Sequence, residues 1–541
     1  MNSHFHNLML KLRNYPCIKI IIAQVKRSPK LRSTPVIPPS LSFNFNPIFV
    51  ICACRAVDQT MTDKRNLTRA LGLGYVIIIV ISNMLGSGVF KKIAPMAAEL
   101  HSSEWILLVW LAAGIITLFG ALSNAEVAGL LADTGGEFVY LRTIYGRFFS
   151  FLYGWSLFTV IQTAAISGVA YVFTQSLNSI IPIPDLLLSL QHFDIGGIFY
   201  PFRDFGIKLT TILLILFLTF LNMSGLKSGA WVNKAILLVV GAGLLVIVIA
   251  GLAGGNESSA GSMASGQSPV GNTVTLSSFY TAMLAAFWAY QGWVSVGFIG
   301  GEVKDPNRNI PRGIIAGVGI VIIIYLVVNY TFLKMLTIPE LEQINNSGNQ
   351  IAGIEAVRGL WGKGGVLFIS LLILISTLGC TNASILTGAR PYYAMARQGL
   401  FFRTTGRLNN RHVPSSSLLW QGIWASILVL SGTFDQLTDM LIFAVYIFYG
   451  ATAMGVFILR RRMPDAHRPY KTWGYPVVPA IFVLFCVGLF FNTIITRPRE
   501  AGIGLSLILL GIPVYFLLLR KGGTRDGSPE GESGKERNQN E

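Results

Sequence analysis

Val80-Ile81-Ser82-Asn83-Met84-Leu85-Gly86-Ser87-Gly88-Val89-Phe90 lies inside the first long apolar run of the chain. Glycine costs a helix about 1 kcal/mol relative to alanine, so Gly86 and Gly88 flanking Ser87 in mid-span mark either a break or a surface for close helix packing. A break in lipid frees N–H and C=O groups that need partners, and irregular backbone survives there only where protein buries it or where it lines a cavity. In the broken reading the amides of Gly86, Ser87 and Gly88 stand at the N-terminus of the following half-helix, a natural place for a carboxylate. In the other reading these residues simply let a neighbouring helix approach. The stretch alone leaves both open.

Composition sets the surroundings. Of 541 residues, 52% are hydrophobic and 12% charged, far below the roughly 25% charged of soluble domains. The chain therefore reads as an all-α integral membrane protein, with about twelve runs that reach bilayer-spanning length. These predicted spans are 71–98 (broken near 86–88), 104–130, 149–178, 207–224, 230–252 and 277–300, then 312–336, 364–390, 416–431, 437–460, 476–495 and 501–520. Residues 1–65 form a basic N-terminal extension, expected to be disordered or to precede a true start at Met61, and 521–541 form a polar tail. Between them lies a transporter-like domain, 66–520, with a first half at 71–252, a second at 277–460 and peripheral spans at 476–520. Segments 179–206 and 337–362 have room for short surface helices.

The net charge of +17 is topological. With the N-terminus inside, cytoplasmic loops and the C-terminal tail hold 25 Lys/Arg and external segments nine, which fits the positive-inside rule for a multi-pass protein of the cell (inner or plasma) membrane with both termini cytoplasmic. Nucleic acid is not an expected partner; the bilayer is. Cys17, Cys52, Cys54, Cys380 and Cys486 form neither a disulfide framework nor a metal-ligand pattern and read as incidental. No cofactor and no metal centre are expected. All six histidines fall outside the span cores, which argues against an intramembrane enzyme.

A second interrupted span comes five helices after the first. It reads Ala286-Phe287-Trp288-Ala289-Tyr290-Gln291-Gly292-Trp293, with Gly297, Gly300 and Gly301 beyond. A repeat displaced by an odd number of spans enters the membrane from the opposite side, and paired glycine-interrupted spans in two halves point to a substrate site near the midplane of a secondary transporter. The pairing favours the broken reading of Gly86–Gly88.

Four motifs now carry a family resemblance over about Leu71–Arg520. They are Gly86-Ser87-Gly88-Val89-Phe90; Gly135-Gly136-Glu137-Phe138-Val139-Tyr140-Leu141 with Tyr145-Gly146; Glu302-Val303-Lys304-Asp305-Pro306-Asn307-Arg308-Asn309-Ile310-Pro311-Arg312; and Arg390-Pro391-Tyr392-Tyr393-Ala394-Met395-Ala396-Arg397-Gln398-Gly399-Leu400. In this order the chain resembles an amino acid permease of the amino acid-polyamine-organocation (APC) superfamily, closest to its L-type amino acid transporter (LAT) branch. The resemblance implies a LeuT-type five-plus-five inverted repeat with broken helices 1 and 6, two peripheral helices, and alternating access around a central site.

The resemblance further implies that the substrate carboxylate meets the amides of Ser87 and Gly88 beside Gly86. It places the substrate ammonium at the carbonyls of Met84, Trp288 and Ala289, with Gln291 and Gly292 nearby. A positive helix N-terminus suits an anion and a negative C-terminus a cation, so a zwitterion fits without charged side chains. Trp288 is the expected aromatic lid, or else a packing residue. Glu126, Glu302, Arg308, Arg390 and Arg397 are candidate gating charges; the alternatives are a structural role for Glu126 and plain positive-inside anchoring for the arginines. Ser376, Thr381, Asn382 and Ser384 are candidate oxygen ligands of a sodium-like site, against the commoner habit of such residues to bond their own backbone.

Two departures bear on mechanism. A lysine that many relatives carry in span 5 falls at Val240, leaving exchange, proton symport and sodium symport all open. Residues 179–206 lack the cysteine that ties animal relatives to a heavy subunit, so no disulfide-linked partner is expected. Few acids lie in the core, which favours neutral L-amino acids as substrate. Cationic amino acids or polyamines on the same fold are the alternative, and a non-transporting amino-acid sensor is a remote third.

Overall fold

The computed structural model describes residues 71–522 apart from 132–134, 195–198, 226–229, 255–273, 410 and 412. The expected N-terminal extension, most of the polar tail and most of the Gly/Ser-rich connection between the halves lie outside these described residues. Among the described residues the regular structure is helical, and ten helices are long and apolar enough to cross a membrane. Two shorter apolar helices, Leu276–Ala289 and Ser415–Ser431, stand where spans 6 and 9 were expected.

Span 1 runs Leu73–Met84, opens at residues 85–87, and resumes at Gly88–Lys91 and Ile93–Leu100. Span 6 runs Leu276–Ala289, opens at 290–292, and resumes as a 3₁₀ helix, Trp293–Glu302. Both expected breaks are therefore present, five spans apart. Span 2 is Ser103–Leu130, capped by the Ser102 hydroxyl accepting from the Trp105 amide. A short connecting helix, Glu137–Tyr145, leads into span 3. That span changes to a π-helical turn at Leu157–Ile161 before continuing as Gln162–Asn178.

Spans 4 and 5 are Phe205–Met223 and Ala230–Gly254. Span 7, Pro306–Met335, begins six residues before its expected start. Its first turn takes Pro306, whose missing N–H costs nothing there, and the helix carries Pro311 inside it, so residues 306–311 extend the span beyond its expected start. The helical stretch Ala352–Arg397 contains a reversal at Gly362 (φ 57°), which separates a surface helix from span 8. Ile338–Ser347 is the second helix of the 337–362 segment. In 179–206 the described helix is one 3₁₀ turn, Leu188–Leu190. Spans 10 and 11 are Phe434–Arg462 and Val477–Thr496. Span 12 is split into Pro498–Leu509 and Gly511–Gly522.

Spans 1, 2, 3, 6, 7, 8 and 10 pack on one another around the two breaks. The outward faces of spans 4, 5 and 11 carry exposed Phe217, Leu238, Ile249, Leu484 and Phe491, the surface a lipid environment accepts and water does not.

Candidate functional site

The two breaks face each other through their glycines. A Cβ added at Gly88 would lie 2.4 Å from Ala289 Cα, and one at Gly292 (φ +117°) would lie 2.7 Å from the Asn83 carbonyl oxygen. Close packing and chain breakage, which look like competing readings of Gly86-Ser87-Gly88, are thus both realised. Gly88 packs against span 6, while Gly86 keeps 3.4 Å between an added Cβ and Cys380 Sγ.

The freed backbone is partnered by neighbouring spans. Tyr325 of span 7 presents its hydroxyl to the Met84 carbonyl and, at 2.8 Å, to the Ala289 carbonyl, so one phenol joins the ends of both half-helices. Ser376 of span 8 donates to the Leu85 carbonyl at 2.8 Å, and the Trp288 carbonyl accepts from the Gln291 amide at 3.2 Å. The amides of Ser87 and Gly88 have no protein acceptor among the described residues. They are the orphan donors that every helix N-terminus leaves.

Beside these amides lies a cavity of about 50 Å³. Of the eight residues expected at a substrate site, Met84, Gly86, Ser87, Gly88, Trp288, Gln291 and Gly292 line it, and Ala289 does not. Asn83, Gln162, Ser295 and Cys380 line it too, and sequence reading missed them. The π-helical turn just before Gln162, a feature often found at functional sites, has no signature in composition. Cys380, expected to be incidental, brings its thiol to the wall. Among the described residues, none that lines this cavity carries a charged side chain.

Trp288 covers one end. Its indole N–H donates to Ser87 Oγ at 3.2 Å, and its ring meets Phe434 edge-on at 5.6 Å between centroids. Lys91 and Lys92 both lie 4.7 Å from the Phe434 ring centre. Lys92 pairs with Asp435 at 2.6 Å and donates to Thr438 at 2.8 Å, while Lys91 donates to Gln175 at 2.6 Å. Beyond this plug a vestibule of about 300 Å³ is lined by Lys92, Glu99, Asn345, Asp435, Asp439 and Arg497 among others. The lysine pair was counted only as loop charge in the sequence.

At the opposite end Glu302 and Arg390 form an ion pair at 2.9 Å between spans 6 and 8. Two backbone hydrogen bonds sew Leu71 to the end of span 6, Leu71 N–H to the Glu302 carbonyl at 3.0 Å and Lys304 N–H to the Leu71 carbonyl at 2.8 Å. Arg308 is exposed, and Arg397 is exposed over the ring of its own helix's Tyr393. Of the expected gating charges, then, Glu302 and Arg390 come together and these two stand apart.

Glu126 is buried away from the cavity. It accepts two hydrogen bonds from Arg460, at 2.9 and 2.7 Å, and one from the Thr472 amide at 2.7 Å, with Arg468 3.4 Å off. This ties span 2 to span 10 and to the segment before span 11. The four candidate sodium ligands each engage a different neighbour: Ser376 bonds Leu85, Thr381 its own helix at Thr377, Asn382 accepts from Asn222, and Ser384 lines the cavity. Val240 is buried among Ser82, Leu85 and Ser376, with no cation beside it in that small apolar gap.

The fold is thus a helical bundle of the membrane-spanning kind, with a cavity between two facing broken spans. The sequence model of the amino acid permease family matches residues 71–518. The chain is 30% identical to the serine/threonine exchanger SteT of Bacillus subtilis (strain 168) over 463 residues, covering 84% of this chain and 98% of that one. It is 26% identical over 471 residues to the Homo sapiens b(0,+)-type amino acid transporter 1, covering 86% and 91%. To the Homo sapiens large neutral amino acids transporter small subunit 2 it is 27% identical over 466 residues, covering 83% and 80%. The chain belongs to the amino acid permease family.

Proposed function

We propose that this protein moves small neutral L-amino acids across the cell membrane by alternating access between two ends of the cavity. The observation that carries the reading is a cavity whose lining holds two orphan amides and several neutral polar side chains but no charge. A zwitterion satisfies it: its carboxylate takes the Ser87 and Gly88 amides, and its ammonium approaches the second lone pair of the Ala289 carbonyl that Tyr325 holds in place, the Met84 carbonyl being taken already by Tyr325 and the Gly86 amide. The small volume and the likeness to a serine/threonine exchanger favour short side chains and exchange. An acid to match a cationic side chain is absent from the lining, which disfavours cationic amino acids and polyamines.

The same reading adopts the inverted repeat suggested by breaks in spans 1 and 6, and an orientation with both termini cytoplasmic, supported by the excess of Lys/Arg in the loops of that face. The Lys92 end is then external and the Glu302 end internal. No disulfide-linked heavy subunit is invoked, since residues 179–206 hold no cysteine.

Purified protein in liposomes preloaded with serine should accumulate labelled serine or threonine by counterflow, inhibited by alanine and leucine more than by lysine or putrescine. Gly86→Val tests the site, because its Cβ is tolerated beside Cys380 while its methyl groups enter the cavity; apparent affinity should fall at least about tenfold, roughly 1.4 kcal/mol. Saturable serine binding without counterflow would replace the transporter by a sensor. Unchanged affinity in Gly86→Val would remove the assigned site. Gly88 is a poor probe, since any side chain there strikes Ala289.

A further inference from the structure

Glu137 begins the connecting helix between spans 2 and 3 and is 1% exposed. Its carboxyl oxygens accept from Asn124 Nδ2 of span 2 at 3.0 Å and from the Tyr153 hydroxyl of span 3 at 2.9 Å. No cation pairs with it among the described residues. The charged side chains on the elements around it are committed elsewhere or face outward. Glu126 of span 2 holds Arg460, and Arg142 on the same short helix bonds Gln398. Glu302 of span 6 holds Arg390, and Arg462 of span 10 donates to the Ile144 carbonyl. Arg147 and Arg461 are exposed. The remaining titratable neighbours are phenols: Tyr140 and Tyr145 on the short helix, Tyr153 on span 3, and Tyr446 and Tyr449 on span 10.

A buried carboxylate without a cation is costly, and the group neutralises by taking a proton. Burial here pushes the Glu137 carboxyl up to about 8, against the opposing pull of the hydrogen bonds from Tyr153 and Asn124.

The position is coupled to the transport site. Gly136, the preceding residue, is jammed against span 6: a Cβ there would lie 2.9 Å from the Gly297 carbonyl carbon. Tyr449 hydrogen-bonds Gln291 of the cavity wall at 3.0 Å and lies within electrostatic reach of both Glu137 and Tyr153. Because Gly136 is packed on this half of span 6, any separation of the two would uncover Glu137.

We propose that Glu137 is a proton-binding site coupled to amino acid transport, protonated while the Glu302 end is shut and deprotonated to water when it opens. This rests on the transporter reading above. A solvent hydronium ion gives its proton to Oε2, one O–H bond breaking as the other forms and water leaving, and the Tyr153 hydroxyl turns from donor to acceptor of it; Asn124 keeps donating to Oε1 in both states. Between the ordinary carboxylate value and about 8 the shut form holds a proton that the opened form gives up, so closure weakens as pH rises across that interval.

The test uses the full chain in liposomes, comparing net serine uptake under an imposed pH gradient with serine counterflow at equal pH. In wild type, acidifying the side of entry should raise net uptake several-fold; in Glu137→Gln that response should vanish while counterflow persists. Equal pH responses in the two proteins, or none in wild type, would overturn the proposal, and absence of counterflow in wild type would instead overturn the transporter reading and this one with it. Should Glu137→Gln fail to fold, Tyr153→Phe serves. It removes one donor to the carboxylate, so the pH midpoint of net uptake should move upward, and an unmoved midpoint refutes the assignment.

Discussion

On the Lys92 side of the cavity, closure rests on a buried ammonium, a half-exposed carboxylate that pairs with it, and aromatic packing. The Lys92 side chain is 1% exposed and paired with Asp435, Phe434 is flanked by two ammonium groups, and Trp288 lies edge-on beneath it. On the Glu302 side, both partners of the ion pair are partly exposed, Glu302 24% and Arg390 28%, although the paired atoms are covered. The rest of that closure is two backbone hydrogen bonds at Leu71 and the neutral packing around Glu137. Exposed ion pairs contribute about 0–1 kcal/mol, whereas stripping a buried ammonium of its partner costs several. On the alternating-access reading proposed above, the Lys92 end is then the harder to open, because removing its partner strands a fully buried ammonium, whereas both partners of the Glu302 pair are partly exposed.

The comparison breaks most readily at Asp435. Asp435→Asn leaves the Lys92 ammonium buried without a counter-charge, with Thr438 and the asparagine amide oxygen as its acceptors, at a cost of about 2 kcal/mol, moderated because Asp435 itself is partly solvated. The expected result is a lower thermal midpoint in detergent and faster labelling of the cavity-lining Cys380 by a water-soluble maleimide, read by peptide mapping. Labelling no faster than wild type would show that this pair does not hold the end shut.

A smaller effect is expected at Trp288. Trp288→Leu loses the edge-on contact with Phe434 and the hydrogen bond to Ser87, about 1 kcal/mol, which is roughly a fivefold weaker apparent substrate affinity. Equal affinity would make Trp288 a packing residue of an aromatic-rich span. Smallest of all is Arg390→Ala, with a stability change of no more than about 0.5 kcal/mol and a modest rise in exchange rate. Arg308→Ala, which removes an exposed side chain, is its control. A loss of stability in Arg390→Ala larger than in Asp435→Asn would invert the ranking of the two ends.

Much of this was legible beforehand for a physical reason. Spans are written as composition, since about 20 consecutive apolar residues announce a helix in lipid whatever its neighbours are. Breaks are written as glycines, and both appear where expected. The start of span 7 was misread because proline marks loops in general but is tolerated in the first turn of a helix. Gln162, Cys380 and Asn83 escaped because nothing in their local sequence says which helix face meets the cavity. Lys91, Lys92 and Glu137 escaped because a loop charge and a buried charge look alike until the partner is seen.

Sequence by itself thus determined a helical membrane protein and two interrupted spans in matched positions, because these depend on local backbone cost and on hydropathy. Only the tertiary structure decided that Gly88 packs on Ala289, that Tyr325 joins the two breaks, that Lys92 meets Asp435 across 343 residues of chain, and that Glu137 is sealed without a cation. Those facts are pairwise and distant along the chain, and no local preference encodes them.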